Sequence, residues 1–241
     1  MKKVYKIDIV LPVYYGNIGI VEESTIKVLD YLRRIQGPYS FKIIISINGR
    51  RANGIIQIAE AICKKYDSVD YCYTKHQGKG HGVLYAWQSS SADILTYMDI
   101  DLATSLESFL PLIDEITNGA DISVGSRYLA TSNLTRSFRR YILSRIYHSC
   151  LINAFLGVPI SDVQCGFKAI DRTAFQKLSP HILDYGFFFE AEMLYSAHRM
   201  GMKIVEVPVS WTERTVSGVR LFSTSVSFII GTIRLKFPYL L

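Results

Sequence analysis

Short runs rich in Ile, Val and Tyr alternate along this chain with longer stretches in which apolar residues recur every three or four positions. The short runs predict strands near 6–12, 42–48, 69–74, 93–98 and 121–126. The longer ones predict helices over 20–35, 55–66, 81–90 and 106–118, several bounded by Gly or Pro. Such alternation is the pattern of a mostly parallel sheet flanked by helices, so the first two thirds reads as α/β. Beyond 128 the pattern changes to an arginine-bearing helix over 136–157, a loop carrying Asp162-Val163-Gln164-Cys165-Gly166-Phe167-Lys168, a helix over 187–200 and a strand over 203–209. From Leu221 to Phe237, the residues Phe222, Val226, Ile229, Ile230, Ile233 and Phe237 fall at helical spacing, with Arg220, Arg234 and Lys236 at the edges. That predicts a C-terminal amphipathic helix.

With 241 residues and no Pro/Gly/Ser-rich linker, the chain has length for one large domain, and its 49% hydrophobic content leans apolar. No run of 18 apolar residues is present, so no transmembrane helix is expected. The N-terminal stretch Met1-Lys2-Lys3-Val4-Tyr5-Lys6 is too short before Pro12 for a signal peptide, which points to a cytoplasmic catalytic part. Cys63, Cys72, Cys150 and Cys165 lack CxxC spacing, so buried thiols are expected rather than a zinc site or disulfides. A net charge of +6 suits an anionic partner. Its arginines and lysines cluster at Lys2/Lys3/Lys6, at 136–145 and at 214–236 with no nucleic-acid motif beside them, so nucleic acid is not the expected partner.

In parallel sheets ligands lie beyond the carboxyl ends of the strands. Here those ends read Pro12-Val13-Tyr14, Asn48-Gly49, Lys75-His76-Gln77-Gly78, Asp99-Ile100-Asp101 and Gly125-Ser126-Arg127. Two carboxylates one residue apart, turned to the same side by strand alternation, can hold Mg²⁺ or Mn²⁺ and through it a diphosphate. A solvated pair capping the next helix is the plainer alternative. Gly78-Lys79-Gly80-His81-Gly82 allows a phosphate to approach closely at a helix start, though it is not a P-loop and a surface turn would read the same way. Arg127 could clamp a phosphate through two parallel hydrogen bonds, or form a surface ion pair. Glu190 is explained by the dipole of the helix it begins, whereas Glu192, between Ala191 and Met193, is expected to line a pocket.

In this order the segments resemble the family 2 glycosyltransferases that make polyprenyl-phosphate sugars, over about residues 7 to 220. The resemblance is carried by Gln77-Gly78-Lys79-Gly80, Asp99-Ile100-Asp101, Gly125-Ser126-Arg127-Tyr128, Asp162 to Lys168, and Ile204-Val205-Glu206-Val207-Pro208-Val209-Ser210-Trp211. It implies a GT-A (nucleotide-diphospho-sugar transferase) fold over 1–220 and a membrane-associating segment over 221–241. It also implies a nucleotide pocket with Pro12, Tyr14, Asn48, Gly78, Lys79 and Asp99, metal and diphosphate on Asp99 and Asp101, and Glu192 as the acid of the sugar pocket. The acceptor phosphate would meet Arg127, with Arg140, Arg145 or Arg220. Ala103-Thr104 after the second Asp, and Gly218-Val219-Arg220, are similar to the dolichyl-phosphate glucosyltransferase branch and favour UDP-glucose over GDP-mannose. Two departures stand out. Pro12-Val13-Tyr14-Tyr15-Gly16 lacks the family's Glu, and Ile47-Asn48-Gly49-Arg50 stands where the family has Asp-Asp-Gly-Ser.

The expected reaction is inverting transfer of a hexose to a polyprenyl phosphate at the cytoplasmic face of a membrane. A phosphate monoester is already anionic at neutral pH and needs positioning rather than a strong base. The C-terminal helix and the 138–155 helix would face lipid, with a buried core or an oligomer face as the alternative for each, so a homo-oligomer stays open. The missing acids also leave open a non-catalytic nucleotide-sugar or lipid-binding homologue, or transfer to a glycan.

Overall fold

The computed structural model describes residues 3–135, 142, 145, 146, 152–213 and 221–237, with 221–227 known from the backbone alone. Nine strands occur among these residues: β1 Tyr5–Val13, β2 Tyr39–Asn48, β3 Val69–Thr74, β4 Ile94–Met98, β5 Ile122–Ser126, β6 Asn133–Thr135, β7 Phe167–Asp171, β8 Ile204–Pro208 and β9 Ser210–Thr212. The helices are α1 Val21–Leu32, α2 Asn53–Lys65, α3 Lys79–Ser89, α4 Phe109–Thr117, α5 Arg172–Leu178, α6 Phe189–Arg199 and α7 Leu221–Lys236. The main sheet runs β3-β2-β1-β4-β7-β5-β8, parallel throughout except for β7, which is antiparallel to both neighbours.

Alternation along the strands divides the core between the two faces of the sheet. Ile7, Ile9, Leu11 and Val13 of β1 point to one face with α1, α2 and α4, where Val28, Ile55 and Phe109 are fully buried. Val10 of β1 and Leu95 and Tyr97 of β4 point to the other, against Trp87 of α3, Phe175 of α5 and Leu194 of α6. Each such aliphatic side chain contributes about 1.5–3 kcal/mol by leaving water. Pro12, which has no N–H to give a ladder, lies beyond the last β1–β4 pair, Val10 with Tyr97, and keeps only Ser46 of β2 opposite it.

The strand β7 corrects the expectation of a loop across 162–168. Its residues Phe167-Lys168-Ala169-Ile170-Asp171 pair with Met98 through Ile94 of β4 and place Lys168, wholly buried, in the middle of the sheet. A charged residue at the second of five positions hides the strand pattern, and only pairing with distant strands reveals it. Because β7 runs backwards, its start meets the end of β4, so residues 162–166 arrive at the same edge as Asp99. Asp171 then caps α5, accepting from the amides of Thr173 and Ala174 at 2.8 and 3.2 Å.

The 136–157 helix expected from sequence falls largely outside the described residues, as do Arg140 and Arg220. The C-terminal stretch is helical as α7; Phe228 packs edge-on against Phe188, with ring centroids 5.6 Å apart, and Thr232 is buried. No helix among the described residues is long and apolar enough to cross a membrane.

Candidate active site

Asp99 and Asp101 follow β4 directly, but not as a continuing strand. The amide of Leu102 donates to the carbonyl of Asp99 at 3.0 Å, and Leu102 takes a left-handed φ of 49°. The two acids therefore lie in a tight turn, which corrects the strand alternation expected for them. Asp101 Oδ1 accepts from the Ala103 amide at 3.0 Å, fixing the turn. The segment after it is held by β9: the Ser105 amide donates to Ser210 and the Thr212 amide to Ala103, at 2.8 and 2.9 Å.

Gly166 fits closely beneath Asp99. Its carbonyl accepts from the Asp99 amide at 3.0 Å, and a Cβ on Gly166 would fall inside the Asp99 carboxylate. Only glycine allows the carboxylate to lie over the start of β7. Burial raises the Asp99 pKa, Lys79 opposes the rise, and the charges of Asp101 and Glu190 add to it. The Asp99 side chain nevertheless keeps 44% of its surface, at the open end of the sheet, so water still reaches it and the desolvation is partial.

Behind Asp99 lies a buried charge network. Lys79 Nζ is 2.7 Å from Asp99 Oδ1 and 2.7 Å from Glu190 Oε1. Glu190 also accepts from the Tyr97 hydroxyl at 2.5 Å and faces Lys168 at 3.6 Å. Lys168 in turn donates to the Tyr97 oxygen and to the Cys165 carbonyl, at 3.2 and 2.6 Å. Burial alone would lower the Lys79 pKa, but Asp99 and Glu190 outweigh it and hold the ammonium charged. Burial likewise works against ionised Glu190, and Lys168 and Lys79, with the Tyr97 hydroxyl, overcome it and bring its pKa below the usual value.

The glycines at the start of α3 lie against the 183–188 loop. The amides of Gly80 and His81 donate to the carbonyls of Gly186 and Tyr185 at 3.1 and 3.0 Å, and Cβ atoms at Gly78 or Gly80 would collide with the Tyr185 backbone. Close approach of the 183–188 loop is what these glycines permit. The rings of His76, His81 and Tyr185 stack in succession, with centroids 5.1 and 4.6 Å apart.

Glu192 points elsewhere. It accepts from the amides of Leu183 and Asp184 and binds Arg234 of α7 at 2.9 Å. Of the two acids of α6, Glu190 joins the network behind Asp99, while Glu192 ties the 183–184 loop to α7.

Arg127 is also committed within the chain. Its Nε and Nη2 grip Asp162 at 2.6 and 2.8 Å in a fork, with both side chains buried, and its ring neighbours are Tyr128 and Trp211. Glu206 of β8 supports Asp162 by accepting from the amides of Ser161 and Asp162 and from the Ser161 hydroxyl. The two parallel bonds expected to clamp a phosphate are made to Asp162 instead. Half-buried Arg145 lies over the Tyr128 ring at 5.0 Å, which brings a second guanidinium to this corner.

At the end of β1, Tyr14 is 39% exposed and folds over Gly16, while Pro12 is buried. Asn48 bridges three segments, donating to the Val13 carbonyl at 3.0 Å and accepting from the Gly78 amide at 3.3 Å. An amide supplies both a donor and an acceptor, which a carboxylate could not. A cleft of about 380 Å³ opens instead toward the start of β1 and β2, near Lys6, Asp8 and Lys42. Lys42 there pairs with Asp70 at 2.9 Å, and the cleft lies toward the strand starts rather than the strand ends.

Comparison with known proteins bears on this arrangement. Glycosyltransferase AglD of Haloferax volcanii is 30% identical over 209 residues, 86% of this chain but 33% of that protein, so this chain spans about a third of its length. A dolichyl-phosphate beta-glucosyltransferase of Dictyostelium discoideum is 28% identical over 247 residues, covering 98% of this chain and 75% of the other. Among solved structures, glucosyl-3-phosphoglycerate synthase of Mycobacterium tuberculosis, crystallised with Mn²⁺, UDP and glucosyl-3-phosphoglycerate, superposes with a TM-score of 0.68 at 17% identity, over 96% of this chain and 80% of that one. That likeness shows a shared GT-A fold. The family model described as glycosyl transferase family 2 matches residues 8–179, most of the chain, and this chain belongs to glycosyl transferase family 2.

Proposed function

We propose that this chain transfers a hexose from a nucleotide diphosphate sugar, UDP-glucose in preference to GDP-mannose, to a polyprenyl or dolichyl phosphate at a membrane surface. The observation that carries the reading is the half-open Asp99 carboxylate, seated on Gly166 at the carboxyl end of the sheet with Asp101 beside it. The names of the relatives support the lipid phosphate as acceptor; those named dolichyl-phosphate beta-glucosyltransferase support glucose as the sugar, while a polyprenol monophosphomannose synthase among them carries mannose in its name. Ala103 after the second Asp favours the same donor.

The residues present suit a divalent cation. Asp99 and Asp101 share one tight turn, where burial and then the like charge of Asp101 raise the Asp99 pKa, and a cation there would relieve both. Among the described residues no three His, Cys, Asp or Glu side chains are placed to hold a metal ion together, so donor and water oxygens would complete its shell. When bound, Mg²⁺ or Mn²⁺ would offset charge on the departing nucleotide diphosphate.

The chain's own part is positioning. The acceptor phosphate oxygen forms a bond to the anomeric carbon from one side as the bond to the diphosphate breaks on the other, which inverts that carbon. No strong base is required, because the acceptor is already anionic. Arg145 is the candidate with a described place to meet the acceptor phosphate, near the end of β5, while Arg127 builds that corner by gripping Asp162. Tyr14 offers an exposed ring to the nucleotide. The membrane surface is proposed for α7 and the residue after it, where Ile229, Ile230, Ile233 and Phe237 are 39–52% exposed with Lys236 beside them, and for Ile142 and Ile146, also exposed. Residues 1–220 would then be the catalytic unit and 221–241 its membrane-facing segment, on the cytoplasmic face.

The test incubates the protein, Mn²⁺ and polyprenyl phosphate in lipid vesicles with labelled UDP-glucose or GDP-mannose and extracts with organic solvent. Label from UDP-glucose in the organic phase, lost in Asp99→Ala, is expected. Label in water-soluble glycan would refute the lipid acceptor, and label from GDP-mannose alone would refute the donor.

A further inference from the structure

We infer that Lys79 is a resident counter-ion of Asp99 that holds the place of a divalent cation until a nucleotide diphosphate arrives, so that cation and donor bind together rather than separately. This rests on the reading of Asp99 and Asp101 as the cation-holding pair, and adds to it an order of binding built from this chain's own residues.

Lys79 stands on a boundary. On its inner side Glu190 and Lys168 have side chains 4% and 0% exposed, locked by the Tyr97 hydroxyl and the Cys165 carbonyl. On its outer side Asp99 is 44% exposed. The ammonium is 2.7 Å from a carboxylate on each side, and the Lys79 side chain as a whole is 11% exposed. Asp99 Oδ1 is thus taken by Lys79, and Gly166 backs the carboxylate.

The charges explain what this does. Asp99, Asp101 and Glu190 are opposed by Lys79 and Lys168, so the cluster carries one net negative charge. A dication arriving alone must approach within a few ångströms of the Lys79 ammonium, where like charges repel strongly in a half-buried site. A diphosphate changes the balance. It brings several negative oxygens to which the ammonium can turn on its flexible four-carbon stem, leaving Asp99 to the cation. Cation and nucleotide then raise each other's affinity by the same factor, as thermodynamic linkage requires.

Titration calorimetry of the full chain with MnCl₂, with and without UDP, tests this. In Lys79→Met, Mn²⁺ binding without nucleotide is expected to tighten by about tenfold, and the gain in Mn²⁺ affinity on adding UDP to shrink. Lys79→Arg, which keeps the charge, should retain the weak nucleotide-free binding of the wild type. Thermal unfolding confirms that each variant is folded; should Lys79→Met fail to fold, Lys79→Gln, still able to donate to Glu190, carries the same expectation. Nucleotide-free Mn²⁺ affinity that is unchanged or weaker in the folded neutral variant overturns the inference, as does equal tightening in Lys79→Arg. Absence of Mn²⁺ binding even with UDP, in wild type and variants alike, overturns the cation-holding role of Asp99 and Asp101 itself.

Discussion

Gly166→Ala is the sharpest perturbation the site offers. The added Cβ would overlap the Asp99 carboxylate, and the two residues cannot drift apart, because the Asp99 amide is bonded to the Gly166 carbonyl at 3.0 Å. Restoring an ordinary contact of about 3.5 Å moves the carboxylate by more than an ångström. Rotation of the Asp99 side chain is the available route, and it breaks the 2.7 Å contact with Lys79. Overpacking of this kind costs about 1–3 kcal/mol. The lost ion pair adds under about 1 kcal/mol, since Asp99 is nearly half exposed. At about 2–4 °C per kcal/mol for a chain of this size, the melting temperature should fall by several degrees. Activity should suffer more, because a displacement of about 1 Å at a reacting centre costs on the order of 100-fold in rate. Calorimetry, Mn²⁺-dependent UDP binding and label transfer measure the three effects, with Gly19→Ala as control, since a Cβ there meets nothing within 4 Å. Transfer and UDP affinity both within about threefold of wild type, in a folded Gly166→Ala protein, would refute the placement of Asp99 at the reacting centre.

Asn48→Asp, which restores the acid common in the family, should destabilise by about 1–3 kcal/mol in denaturant unfolding, because a carboxylate cannot donate to the Val13 carbonyl and meets its oxygen instead; a gain in stability would contradict the bridging role. Asp162→Asn removes the charge that answers buried Arg127, and a loss of about 3–5 kcal/mol is expected by the same measurement. Glu190 gives a pH dependence. Its folded pKa lies below the ordinary 4.5, so its contribution is complete above that value and is lost as pH falls through the lower folded value. Wild type should therefore lose more stability than Glu190→Gln between about pH 6 and about pH 3; equal acid limbs would show that the network does not favour ionised Glu190.

The sequence by itself determined the alternation of strands and helices, the strand ends at which Asp99, Asp101, Asn48 and Arg127 emerge, and the glycine-rich helix start that carries Lys79. These follow from local periodicity and turn residues, which each segment carries whatever its neighbours do. Tertiary structure alone decided how the side chains are paired. Arg127 meets Asp162, 35 residues away, only because β7 enters the sheet antiparallel, and buried Lys168 disguises that strand in a list of hydrophobic positions. Glu190 and Glu192 lie about 200° apart around α6, so one faces Asp99 and the other Arg234. Which is which depends on how the helix is rotated against the sheet, and that rotation is set by the packing of Phe189, Met193 and Leu194 in the core. Periodicity gives a helix its apolar stripe; only the opposing surface tells its polar residues where they point.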